Sequence, residues 1–129
     1  MDSKPPIKTG IVRIWAAFFS SLNGLRLAIS NEAAFRQEVS IVVIALVALL
    51  LLPLSFLWKG LLFFATTAVL VVELLNTAIE SVVDMVSPEY NVLAKRAKDL
   101  GSAAVFVSIF FAVVLWSGAI FIILQGEPK

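Results

Sequence analysis

The chain has 129 residues, of which 60% are hydrophobic and 15% charged, and its mean hydropathy is +1.00. Soluble domains carry about 45–50% apolar and about 25% charged residues, so this composition belongs to a single integral-membrane domain, expected to be all-α. A net charge of +1 without a basic run speaks against a nucleic-acid partner, and the lack of cysteine and histidine excludes disulfides, thiolate metal sites and imidazole chemistry.

Acid–base or metal chemistry must then use carboxylates, lysine or hydroxyls. Residues 1–10, MDSKPPIKTG, read as a loose tail and not as a signal peptide. Residues 11–29 are apolar but interrupted by polar positions, and Arg13, Ala17, Ser20 and Gly24 share one helical stripe. This pattern predicts an amphipathic helix in the membrane interface, with Trp15, Phe18 and Phe19 toward lipid. An ordinary packed helix is the competing reading.

Ser30 or Asn31 is expected to cap a helix over 32–52 that opens with Glu32. Residues 39–58 lack charge, and Pro53, Leu54 and Ser55 are expected to turn the chain. A second membrane helix is expected over 57–86. SPEYN, 87–91, reads as a loop, and a third helix is expected over 92–124, with Gly101, Val105, Ser108 and Ala112 as a small-residue packing stripe. Eight of the ten basic residues lie before residue 39 or between 84 and 99. The positive-inside rule therefore puts the N-terminus and the second loop in the cytoplasm.

The second membrane helix carries the chemistry. Glu73, Asn76, Thr77, Glu80 and Asp84 fall on one face of an otherwise apolar segment. A charge in the bilayer core costs at least about 2.5 kcal/mol, which favours a buried polar site. A hydrogen-bonded interhelical lock is the structural alternative. Glu73 and Glu80 stand about 10 Å apart by rise, too far to share one ion at about 2.0–2.6 Å. Glu80 then needs a carboxylate from another element, for which Glu32 is the best candidate; a surface pair with Arg36 is its simpler role. Glu73, deeper and desolvated, suits a general base. Lys95 and Arg96 read as the topology signal, while Lys98 and Asp99 end the basic segment. Walker and kinase glycine-rich phosphate loops are absent.

NEAAFRQE (31–38), VELLNTAIESVVD (72–84) and AKRAKDLGSAAV (94–105) occur in the order and positions of the prokaryotic integral-membrane diacylglycerol kinases, which the chain resembles over about 13–124. The resemblance implies an N-terminal amphipathic surface helix plus three transmembrane helices, assembled as a homotrimer with composite active sites in the bacterial inner membrane, facing the cytoplasm. It implies transfer of the ATP γ-phosphate to diacylglycerol with Mg²⁺, giving phosphatidic acid. By position it makes Glu73 the general base, with Asn76 at the catalytic centre, and makes Glu32 and Glu80 the metal ligands. Nucleotide contacts fall on Arg13, Ser20, Glu32, Glu80, Glu89, Tyr90, Asn91, Lys98 and Asp99. Lipid contacts fall on Arg13, Ala17, Ser21, Leu22, Arg26, Ala34, Phe35, Glu38, Ser102 and Trp116. Close relatives place a tyrosine at Ser20, a tryptophan at Leu22 and lysines at Asn23 and Ala16, departures that bear on substrate affinity. Related Gram-positive members act as undecaprenol kinases, the alternative within the family. A small proton-coupled transporter is the alternative from another class, since it too needs intramembrane carboxylates.

Overall fold

A computed structural model describes residues 9–126. Within these residues the chain is helical throughout its elements: α1 (Gly10–Asn31), α2 (Ala33–Leu51), α3 (Phe56–Val86) and α4 (Val92–Gln125). Apart from residues 9 and 10, the expected N-terminal tail lies outside the described residues. The helices fall into two compact units that divide between Ala33 and Ala34.

The first unit is α1. Its aromatic residues touch one another: the Trp15 ring lies 6.2 Å from those of Phe18 and Phe19, which are 5.8 Å apart. All three are exposed. The sequence places a cap for α2 at Ser30 or Asn31, but the chain stays helical through Asn31 and breaks at Glu32, in extended backbone at φ −103° and ψ 112°. Ser30 instead turns its hydroxyl back on the Arg26 carbonyl at 2.5 Å, the usual solution for a serine inside a helix. Glu32 thus stands just before α2, not within its first turn.

The second unit contains α2, α3 and α4, each long and apolar enough to cross a membrane. At 1.5 Å per residue α2 is about 28 Å long, close to the ~30 Å hydrocarbon thickness, whereas α3 at about 46 Å and α4 at about 51 Å exceed it. Ser55 starts α3 by accepting from the Trp58 N–H at 3.4 Å. Asn91 starts α4 by accepting from the Leu93 and Ala94 N–H groups at 2.8 and 3.3 Å. Gly126, at φ 66°, closes α4 in the left-handed conformation that glycine adopts without penalty.

The principal helix pair is α3 with α4. Three contacts fix its antiparallel register: Lys98 to Asp84, Gly101 to Asn76, and Trp116 to Thr66. The small-residue stripe of α4 is its inner face, with Gly101 buried and Val105, Ser108 and Ala112 half-buried. On α2 the inner positions Phe35, Val42 and Leu49 recur at helical spacing. Leu49, Leu62 and Ala119 form a core joining all three helices near the α2–α3 turn, with Trp58 and Trp116 packed on it.

Candidate functional site

Along α3 the expected polar face is graded by burial. Glu73 and Asn76 are 7% and 8% exposed, Thr77 and Glu80 are half-buried, and Asp84 is exposed. The gradient runs toward the Val86 end of the helix: measured from Phe56, Glu73 lies about 26 Å along α3, Glu80 about 36 Å and Asp84 about 42 Å. Glu73 and Glu80 thus stand at two levels of one helix.

The Asn76 carboxamide connects the two levels. Its Nδ2 donates to Glu80 Oε1 at 3.3 Å, one helical turn further on. Its Oδ1 faces α4, where a Cβ built on Gly101 would stand 2.2 Å away, so any side chain there must displace the carboxamide. Asn76 Oδ1 and Glu38 Oε2 are the two buried side-chain oxygens without a hydrogen-bond partner among the described residues.

Glu38, on α2, lies within the electrostatic field of Glu73. Asn76 holds Glu80, and Glu38 gives Glu73 a carboxylate neighbour from a different helix. Glu38 also lines a cavity of about 520 Å³ walled by apolar residues of all three helices, among them Val42, Ala45, Val69, Ala112 and Trp116. Two expected lipid-contact residues, Glu38 and Trp116, thus border one cavity. The Trp116 Nε1–H donates to Thr66 Oγ1 at 3.0 Å, and Thr66 in turn donates to the Leu62 carbonyl at 2.6 Å. This partly buried link was not evident from sequence, because neither threonine nor tryptophan breaks the apolar pattern.

At the Val86 end, Lys98 and Asp99 take separate partners. Lys98 Nζ donates to Asp84 Oδ1 and Oδ2 at 2.8 and 3.1 Å, whereas Asp99 accepts from Lys95 at 2.5 Å. Glu89 and Tyr90 are exposed in the loop, and the Asn91 side chain caps α4. Ala34 and Ser102 are exposed, and Phe35 is fully buried. In the first unit Arg13, Ala17, Ser20, Ser21, Leu22 and Arg26 lie exposed along α1, with the Ser21 hydroxyl donating to the Ala17 carbonyl at 3.0 Å. Glu32 follows the end of that helix.

No group of three or more Asp, Glu, His or Cys side chains able to hold a metal exists among the described residues. Mg²⁺ carried with a nucleotide needs only one or two carboxylates, the rest of its shell being phosphate oxygens and water, and half-buried Glu80 is a carboxylate of that kind.

Known proteins place the chain. The family described as Prokaryotic diacylglycerol kinase matches residues 19–121. A diacylglycerol kinase of Escherichia coli K12 is 47% identical over 108 residues, covering 84% of this chain and 88% of the relative. One from Pseudomonas aeruginosa is 44% identical over 117 residues, 89% of this chain and 95% of the relative. One from Helicobacter pylori is 39% identical over 112 residues, 87% and 88% of the two chains. With the family match over most of its length and relatives of this similarity, the chain belongs to the prokaryotic diacylglycerol kinase family.

Proposed function

We propose that this protein is an ATP-dependent membrane kinase that phosphorylates the free hydroxyl of 1,2-diacylglycerol, with Glu73 as the general base. The observation that carries this reading is the burial of Glu73 in the apolar helix α3, with half-buried Glu80 two turns nearer the Val86 end. A lipid alcohol reaches the first level and a nucleotide the second. Phosphoryl transfer needs positioning and charge neutralisation more than covalent help from the protein, so a carboxylate and a carboxamide on one rigid helix are adequate machinery.

In the proposed step Glu73 accepts the hydroxyl proton, and the hydroxyl oxygen bonds to the γ-phosphorus. The bond from that phosphorus to the bridging oxygen breaks, and ADP leaves. Asn76 holds Glu80 in place through its Nδ2–H. We assign Glu80 to Mg²⁺; the assignment of Glu32 to a metal rests on the sequence resemblance alone. The ion, when bound, supplies positive charge to the β- and γ-phosphate oxygens. Lys98 and the Glu89–Tyr90 loop are assigned to the nucleotide. The cavity beside Glu38 and Trp116 has the volume and apolar lining of a small-molecule site, and we assign it to part of the lipid.

We further propose a homotrimer in the bacterial inner membrane, with α1 at the membrane surface and the sites on the cytoplasmic side. The distribution of basic residues supports the sidedness. Phosphate transfer from labelled ATP to diacylglycerol and to undecaprenol, measured side by side, tests the substrate. Faster labelling of the polyprenol would contradict the assignment. Crosslinking in active membranes tests the assembly, and active preparations with monomers alone would overturn it.

A further inference from the structure

Gly101 is singular among the glycines of the chain. A Cβ added at Gly101 would meet Asn76 Oδ1 at 2.2 Å and Asn76 Cγ at 3.3 Å, while the same addition at Gly118 on the same helix meets Trp58 Cη2 at 3.8 Å. The clash at Gly101 is with one functional group only, because the nearest remaining atom, Asn76 Cα, is 4.0 Å away. Gly101 is therefore shaped to the Asn76 carboxamide and not to the α3 backbone.

The contact has a direction. An amide has one accepting end and one donating end. Only the NH₂ end can donate to the Glu80 carboxylate, which it does at 3.3 Å. The oxygen must then face the opposite way, onto the α4 backbone at Gly101, where it is buried without a hydrogen-bond partner. A buried carbonyl oxygen without a full partner is unfavourable. The fold keeps this arrangement although a serine or threonine on α4 could have supplied a donor.

We infer that Gly101 is a positioning residue for phosphoryl transfer: its missing side chain makes room for the Asn76 carboxamide, which in turn holds the Glu80 carboxylate. The inference rests on the assignment of Glu80 to the nucleotide end of the site. Gly101 itself touches neither substrate; it acts through Asn76. A methyl group there must turn the carboxamide, and Glu80 then loses its donor while Glu73, one turn away, keeps its place on the helix.

The test is a double-substitution cycle in the full-length protein in detergent–lipid mixed micelles, scored by KM for Mg²⁺·ATP, KM for diacylglycerol and kcat. Gly101→Ala is expected to weaken Mg²⁺·ATP use, read as kcat/KM, by about tenfold to a hundredfold, the scale of a displaced positioning group. KM for diacylglycerol stays at the wild-type value. Gly118→Ala is the control and leaves all three constants unchanged. Asn76→Ala removes the atoms that a methyl at position 101 would strike, so Gly101→Ala added to Asn76→Ala is expected to cost nothing further.

Wild-type kinetics in folded Gly101→Ala would overturn the inference, as would losses that multiply in the double variant. If Gly101→Ala alone fails to fold, the comparison of the double variant with Asn76→Ala still decides, and any further loss there contradicts the inference. Glu80→Gln separates the two levels. If it impairs Mg²⁺·ATP use while Gly101→Ala does not, the inference alone fails. If Glu80→Gln keeps the wild-type dependence on Mg²⁺·ATP, the underlying assignment fails and the inference falls with it.

Discussion

Lys98 on α4 donates to both carboxylate oxygens of Asp84 on α3, at 2.8 and 3.1 Å, and so ties together the ends of the two helices that carry the site. The pair is solvent-exposed, and exposed ion pairs contribute little to stability because water and salt screen them. The proposed function has Lys98 exchange Asp84 for a nucleotide phosphate.

Lys98→Met is therefore expected to raise KM for ATP by about tenfold, the loss of one charged contact to the nucleotide. The thermal unfolding temperature should hardly move. Asp84→Asn should leave KM for ATP near wild type, since Lys98 retains its charge. Steady-state kinetics at fixed lipid checks both, and a large loss of stability in Lys98→Met with unchanged KM would make the pair purely structural.

Thr66 and Trp116 form the corresponding tie further along the same helix pair, with Thr66 buried and Trp116 half-buried. Thr66→Val leaves the indole N–H without its acceptor. Polar contacts between membrane helices are worth about 0.6 kcal/mol on average and up to about 1.7 kcal/mol. The expected loss therefore lies in that range, read from denaturant or thermal unfolding in detergent. KM for ATP should not change, because Thr66 is far along α3 from Glu80.

Asn91 combines two assignments. Its side-chain oxygen accepts from two free N–H groups at the start of α4, which commits it to the helix. Asn91→Ala is expected to cost about 0.5–2 kcal/mol of stability, the usual value of a cap. Asn91→Asp preserves the acceptor and should restore it. If Asn91→Asp fails to rescue stability but both variants lose ATP affinity, nucleotide contact outweighs the cap.

Much of this arrangement was legible in the sequence. The apolar segments and the turn residues Pro53, Ser55 and Asn91 marked out the helices of the second unit, since a bilayer forces its spans to be long and uncharged. The polar face of α3 was legible because Glu73, Asn76 and Glu80 stand out against an apolar background. Three relationships were not. The break at Glu32 depends on backbone angles that Ser30 and Asn31 did not reveal. The nearness of Glu38 to Glu73 depends on how α2 is rotated against α3. The fit of Gly101 to Asn76 depends on the register of α4. Each is a relation between elements, and periodicity within one helix contains no such information.

Glu73 bears the central claim. Radiolabelled phosphate transfer from ATP to diacylglycerol should be compared in wild type and Glu73→Gln, with ATP binding and oligomeric state measured on the same samples. The amide keeps the size of the side chain but cannot take a proton. Turnover should fall by at least about a hundredfold while ATP binding and assembly persist. Near-normal turnover in Glu73→Gln would show that the proton goes elsewhere and would contradict the assignment.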